Sequence, residues 1–195
     1  KFHSGNILDA DDVVYSFNRL MNMGQGFSFL FGTVDSVTAL NSNTVQIKTK
    51  EPFAPLIASL MRLAIVDKDD VEANTVDGNY GDNGDYGEAY LLTTSAGTGA
   101  YKITEHDPNV KTVLTKNSDY FLGHNAKAPD EAIIKYSVEA ATIRTLLLRG
   151  EHEISSMWLP NEVLAGLEKE DSVDLIKINR PGSWYNKLNN RRAPL

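Results

Sequence analysis

The sequence contains no cysteine, which removes disulfides, thiolate nucleophiles and cysteine-type zinc sites together. No apolar run approaches the roughly 20 residues needed to span a bilayer, so membrane attachment is expected only through a removed signal or a lipidated N-terminus. Positive charge is scarce: 19 Lys and Arg face 26 Asp and Glu, a net charge of −7. Nucleic-acid binding needs clustered cations to neutralise phosphates, and Arg191-Arg192 is too short a run to supply them. Histidine is equally sparse. His3, His106, His124 and His152 are never spaced i, i+4 on one helix face, so no metal site and no cofactor is expected.

What is present is a globular composition, 42% hydrophobic and 23% charged over 195 residues, enough to bury a core. The chain runs from Lys1, with no initiating methionine, to Ala193-Pro194-Leu195, and is expected to be a piece of a longer protein. Its organising stretch is Gly97-Thr98-Gly99-Ala100-Tyr101-Lys102-Ile103, continued by Val113 to Phe121. Pro108 and Asn109 between the two β-type runs favour a turn, so the spacing predicts a hairpin. The two glycines allow a sharp bend or the close approach of another segment. They are no phosphate cradle, since no helix start follows them.

Upstream, Asp9 is an N-cap candidate, and Val13, Val14, Phe17, Leu20 and Met21 form one stripe of an amphipathic helix. Asp11 and Asp12 suit the positive first turn better than acid–base chemistry. An aromatic loop carries Phe27, Phe29 and Phe31, which either pack inward or border a ligand. Val34 to Leu40 and Thr44 to Lys50 alternate as a second hairpin, and Pro55 suits the start of a short helix. The stretch from Asp77 to Glu88 echoes a calcium loop, but Gly81 and Asp82 fall where the motif needs an oxygen ligand and then glycine, leaving a surface loop with Tyr80, Tyr86 and Tyr90 placed to fringe a pocket. After the central hairpin the pattern turns to strand–helix alternation: strands over 132–137, 152–157 and 173–178, helices over 139–149 and 160–170. Ligands gather beyond the carboxyl ends of such strands, which points to Ser155, Ser156, Met157 and Trp158. The tryptophan offers a large rigid face and one N–H donor.

Three segments carry a resemblance in order along the chain: KFHSGNILDADDVVYSFNRL, GTGAYKITEHDPNVKTVLTKNSDYF and LLLRGEHEIS. Together they resemble the family 5 extracellular solute-binding proteins, the dipeptide- and oligopeptide-binding components of ABC importers. Ala100 stands where that family usually has proline. The resemblance implies an α/β, type II periplasmic-binding-protein-like fold, a mixed sheet with helices on its faces plus an α+β subdomain, with this partial chain covering most of lobe I. The change of pattern at Gly97 predicts a helix-plus-antiparallel-sheet subdomain over 1–95 and a mixed-sheet core over 96–183, and the resemblance implies the start of a crossover to lobe II over 184–195, with Asn189 and Asn190 at the hinge. Its partners would be a peptide ligand and the permease subunits, in the periplasm or, on a lipid anchor, at a Gram-positive cell surface. Trp158, Met157, Ser156, Phe29 and Tyr90 are the ligand-contact candidates, and no catalytic residue is expected. Non-peptide cargo such as a nickel chelate, haem or oligosaccharide is the alternative. A hydrolase using Asp130 with Glu131, or Glu151 with Glu153, is the enzymatic alternative; neighbours on a strand point to opposite faces, which argues against the first pair.

Overall fold

The computed structural model describes residues 1–155 and 158–178. They fall into two compact units, Lys1–Ser137 and a second that begins at Val138.

The first unit starts with α1, Ala10–Met23. Its cap is local chemistry: the Asp9 carboxylate accepts from the N–H groups of Asp11 (2.8 Å) and Asp12 (3.4 Å), while Asp12 Oδ2 accepts from the Asp9 N–H at 2.9 Å. This reciprocal box satisfies amides that a helix start leaves without intrahelical partners. Gly24 ends the helix at φ 63°, a left-handed conformation that glycine adopts without steric cost. The predicted apolar stripe is the packed face. Phe17 meets Phe31 edge-on at 5.6 Å, and with Val34 they form the buried cluster against which Leu20, Met21, Val37, Ile47 and Leu60 pack.

The second predicted hairpin is β1, Val34–Asn41, against β2, Thr44–Thr49, with Val37 opposite Ile47 and Ala39 opposite Val45. Its tip is tied to the helix start, because the Ala10 N–H donates to Ser42 O at 2.9 Å. Short helices follow: α2, Leu56–Ser59, directly after Pro55; α3, Lys68–Ala73; and α4, Glu88–Leu91. The central hairpin is β3, Tyr101–Asp107, with β4, Lys111–Lys116, and β5, Glu131–Lys135, adds to β4. All three run antiparallel in the order β3-β4-β5.

Some local expectations need correction. β5 is not a buried strand: it is an outer strand on which Ile133 and Ile134 both remain half exposed. Residues 173–178 form no strand, and neither do the described residues of 152–157. Apolar β-type runs become strands only where a neighbour supplies a ladder, and the described residues offer these two none. The predicted helices do form in the second unit, as α5, Ala140–Leu148, and α6, Asn161–Leu167. Arg144 Nη2 pairs with Glu170 Oε1 at 2.7 Å, and Leu167 is buried.

Candidate functional site

One hydrogen-bonded part of the first unit gathers residues nearly a hundred positions apart. The His3 N–H donates to Gly97 O at 2.8 Å, His3 Nε2 lies 2.9 Å from Gly99 O, and His3 Nδ1 lies 2.9 Å from Ser95 Oγ. Since a carbonyl only accepts, Nε2 carries a proton, and a neutral ring then accepts the Ser95 hydroxyl proton at Nδ1. Asn117, 2% exposed, clamps the other side: its Nδ2 donates to Gly99 O at 3.1 Å and its backbone N–H to Ala100 O at 2.8 Å. The glycine segment before β3 is thereby pinned between the N-terminus and the end of β4.

Beside it, Asp67 is 1% exposed. Its carboxylate accepts the Ser4 hydroxyl at 2.5 Å, the Asn6 amide at 2.9 Å and the Asp70 N–H at 3.2 Å, so one side chain caps α3 and holds the N-terminal turn. Asp12, read as a helix-start acid, takes that place in the capping box and is also buried, accepting the Lys68 N–H at 3.0 Å.

The stretch from Asp77 to Glu88 is a built loop and not a loosely solvated one. Asp85 is buried and accepts from the N–H groups of Gly87 (2.8 Å), Ala89 (2.9 Å) and Val76 (3.1 Å). These bonds, the one from Ala89 foremost, hold its carboxyl below the usual carboxylate range. A carboxylate saturated by amides is not offered to a cation, and among the described residues no group of three or more His, Cys, Asp or Glu could hold a metal. Tyr86 plugs the loop onto α1: Arg19 Nε donates to its carbonyl at 2.7 Å and Asn22 Nδ2 to its hydroxyl at 2.7 Å. Tyr15 packs edge-on to Tyr86 at 6.3 Å, and burial, reinforced by Glu72, pushes its phenol up to about 12.

The predicted contact residues belong to both units, and two of them lie outside the described residues. Phe29 is 73% exposed and tilts against Phe27 at 6.3 Å, with the Arg62 guanidinium 4.7 Å above the Phe27 ring. Phe31 is the member of that loop that enters the core. Tyr90 donates its hydroxyl to Asp70 Oδ2 at 2.9 Å, and burial together with that bond raises it to about 12. Trp158 belongs to the second unit and is 74% exposed. Ser156, Met157, Asn189 and Asn190, with Trp184 and Tyr185, lie outside the described residues. A hollow of about 320 Å³ between Arg19, Leu20, Met23, Glu88, Leu91 and Leu92 was not anticipated; its walls come from the end of α1 and from α4, which no local sequence pattern brings together. The carboxylates considered for hydrolysis are engaged or exposed: Asp130 meets Lys116 Nζ at 2.6 Å, which lowers its pKa, and Glu151 lies 3.9 Å from Arg149. A general acid needs the opposite shift.

The helix-and-sheet architecture is that of type II periplasmic-binding-protein-like folds. The structure superimposes on NikZ from Campylobacter jejuni in complex with Ni(L-His) with a TM-score of 0.68 at 20% identity, covering 87% of this chain and 32% of that one. It likewise matches DppA from Helicobacter pylori in complex with peptide STSA, TM-score 0.64 at 24% identity, over 84% of this chain and 33% of that one. By sequence the chain is 27% identical to the probable D,D-dipeptide-binding periplasmic protein DdpA of Escherichia coli (strain K12), over its full length and 36% of that protein. It thus spans about a third of the length of its relatives. Residues 1–195 match the bacterial extracellular solute-binding proteins, family 5 Middle, and the chain belongs to that family.

Proposed function

We propose that this chain is part of the substrate-binding component of an ABC importer, which captures di- or oligopeptides in a cleft between two lobes and delivers them to permease subunits. The observation that carries the peptide reading is the alignment of this whole chain with 36% of DdpA, a protein named for a dipeptide ligand; the STSA complex of the Helicobacter pylori DppA supports it. Residues 1–95 and 96–183 would form two parts of lobe I, and 184–195 the start of the crossover, with Asn189 and Asn190 at the hinge. Trp158, Met157, Ser156, Phe29 and Tyr90 are the proposed contacts; Tyr90 would offer its ring, since its hydroxyl is committed to Asp70. Such a protein works outside the cytoplasmic membrane, in the periplasm or on a lipid anchor.

The test is mass spectrometry of the ligand carried through native purification of the full-length protein: peptides support the reading, and their absence overturns it. Cleft sites bury about 70–90% of a ligand's surface, so the 195-residue chain alone should bind a di- to pentapeptide library only weakly. Micromolar binding by that chain in isothermal titration would refute the two-lobed cleft. A nickel chelate is the second reading, favoured by the likeness to NikZ. Elemental analysis of the same native preparation would reveal the metal.

A further inference from the structure

Nothing inside the described structure requires a glycine at position 97. A Cβ added there meets no atom within 4 Å, and its φ lies outside the left-handed region, so neither crowding nor backbone strain excludes a side chain. The peptide groups around it are nevertheless held in fixed directions. Ala96 O accepts the Asp67 N–H at 2.9 Å, Gly97 O the His3 N–H at 2.8 Å, and Gly99 O is taken by His3 Nε2 at 2.9 Å and Asn117 Nδ2 at 3.1 Å. In a planar trans peptide the N–H points opposite to the C=O of the same unit. The N–H groups of Gly97, Thr98 and Ala100 are therefore turned away from Asp67, His3 and Asn117, and among the described residues none of the three has an acceptor. The Lys102 ammonium, bound to His3 O at 3.1 Å, adds a positive charge beside the loop.

We infer that this loop is a ligand subsite, in which the N–H groups of Gly97, Thr98 and Ala100 receive carbonyl or carboxylate oxygens of a peptide main chain. Gly97 lacks a side chain so that this main chain can lie against it. The donors are oriented before the ligand arrives, which spares the ordering cost of binding. They read the peptide backbone and are indifferent to side chains. The inference rests on the peptide-capture reading above.

Trialanine titrated calorimetrically into the full-length protein and its variants tests it. Gly97→Leu should weaken binding at least about tenfold, the equivalent of 1.4 kcal/mol, with Tm held within about 2 °C of the parent. Thr98→Pro removes one N–H donor and should weaken binding about two- to tenfold. If Thr98→Pro fails to fold, 15N spectra of the parent protein decide: the Gly97, Thr98 and Ala100 amide protons should move downfield as trialanine is added, and unmoved amides would overturn the subsite. Equal affinities of parent and variants would overturn the subsite and leave peptide capture standing. A large fall in Tm for Gly97→Leu without selective loss of affinity would mean that another stretch of polypeptide covers the loop, and would also overturn it. No binding of trialanine or of the di- to pentapeptide library by the parent protein would remove the capture reading itself, and the subsite with it.

Discussion

Asp67→Ala is the perturbation that most directly tests the account of the first unit. The substitution removes the acceptor that caps α3 through the Asp70 N–H and holds the Ser4 hydroxyl and the Asn6 amide. An N-cap is worth about 0.5–2 kcal/mol, and each further hydrogen bond about 1 kcal/mol net. Ser4 and Asn6 are exposed at the level of the residue and can partly turn to water, which trims the loss. The expected destabilisation is about 2–4 kcal/mol, a large share of the roughly 5–15 kcal/mol by which domains are stable. At ~2–4 °C per kcal/mol for a chain of this size, Tm should fall by about 5–15 °C. Asp67→Asn keeps the volume but turns one acceptor into a donor, and should lie between parent and Asp67→Ala. Urea denaturation of parent, Asp67→Ala, Asn6→Ala and the double variant gives a cycle in which the two sites should couple by at least ~0.5 kcal/mol. A loss below about 0.5 kcal/mol for Asp67→Ala, or strict additivity with Asn6→Ala, would refute the claim that this carboxylate ties the N-terminal turn to α3.

Further outcomes follow from the same geometry. The folded pKa of Asp85 is depressed by the Ala89, Val76 and Gly87 amides, so its contribution is complete above the ordinary carboxylate value near 4 and is lost as pH falls through the lower folded value; Asp85→Asn should flatten the acid limb of a stability–pH curve, and an unchanged limb would contradict this. Tyr15 and Tyr90, both raised to about 12 from 10.0, favour the fold fully below pH 10 and lose that contribution between about 10 and 12; ultraviolet titration should show two phenols ionising late, and Tyr90→Phe should remove one of them. Trp158→Ala in the full-length protein should weaken ligand binding by more than it lowers stability, as its 74% exposure suggests; a lower Tm with unchanged affinity would assign the ring to packing.

What was legible in the sequence is what local chemistry decides. The cap of α1 needs only Asp9, Asp11 and Asp12, and the β3–β4 turn is signalled by Pro108 and Asn109, with the Val110 N–H closing onto Asp107 O at 3.1 Å. Burial of an acid is not local. Asp12 looks like any helix-start carboxylate until Lys68, 56 residues later, brings its N–H to it, and Asp85 looks solvated until three amides converge on it. The aromatic loop was ambiguous for a geometric reason: Phe29 and Phe31 are two residues apart on a 3-10 turn, Ser28–Phe31, so when one enters the core the other faces water. Strand 173–178 was misread because apolar β-type composition specifies a preference and not a partner.

Two of the three segments that carried the resemblance are joined by physics as well as by order. His3 of the first and Gly97, Gly99 and Asn117 of the second meet in one hydrogen-bonded clasp, so loss of the His3 or the Asn117 side chain takes one donor from the Gly99 carbonyl. The Ala100 departure from proline leaves the clasp unchanged, since the clasp takes from this residue its carbonyl, which accepts from the Asn117 N–H, while alanine adds the N–H that proline lacks, one of the three donors of the inferred subsite. The third segment belongs to the second unit and is explained by its own turn. Gly150, at φ 69°, ends α5, its N–H donating to Leu147 O at 3.0 Å and the Glu151 N–H to Leu146 O at 2.9 Å. That is the paired bonding of a Schellman stop, which favours glycine at this one position. The Gly-Glu pair in LLLRGEHEIS is accordingly a helix terminus, and the place of Glu151 follows from that turn.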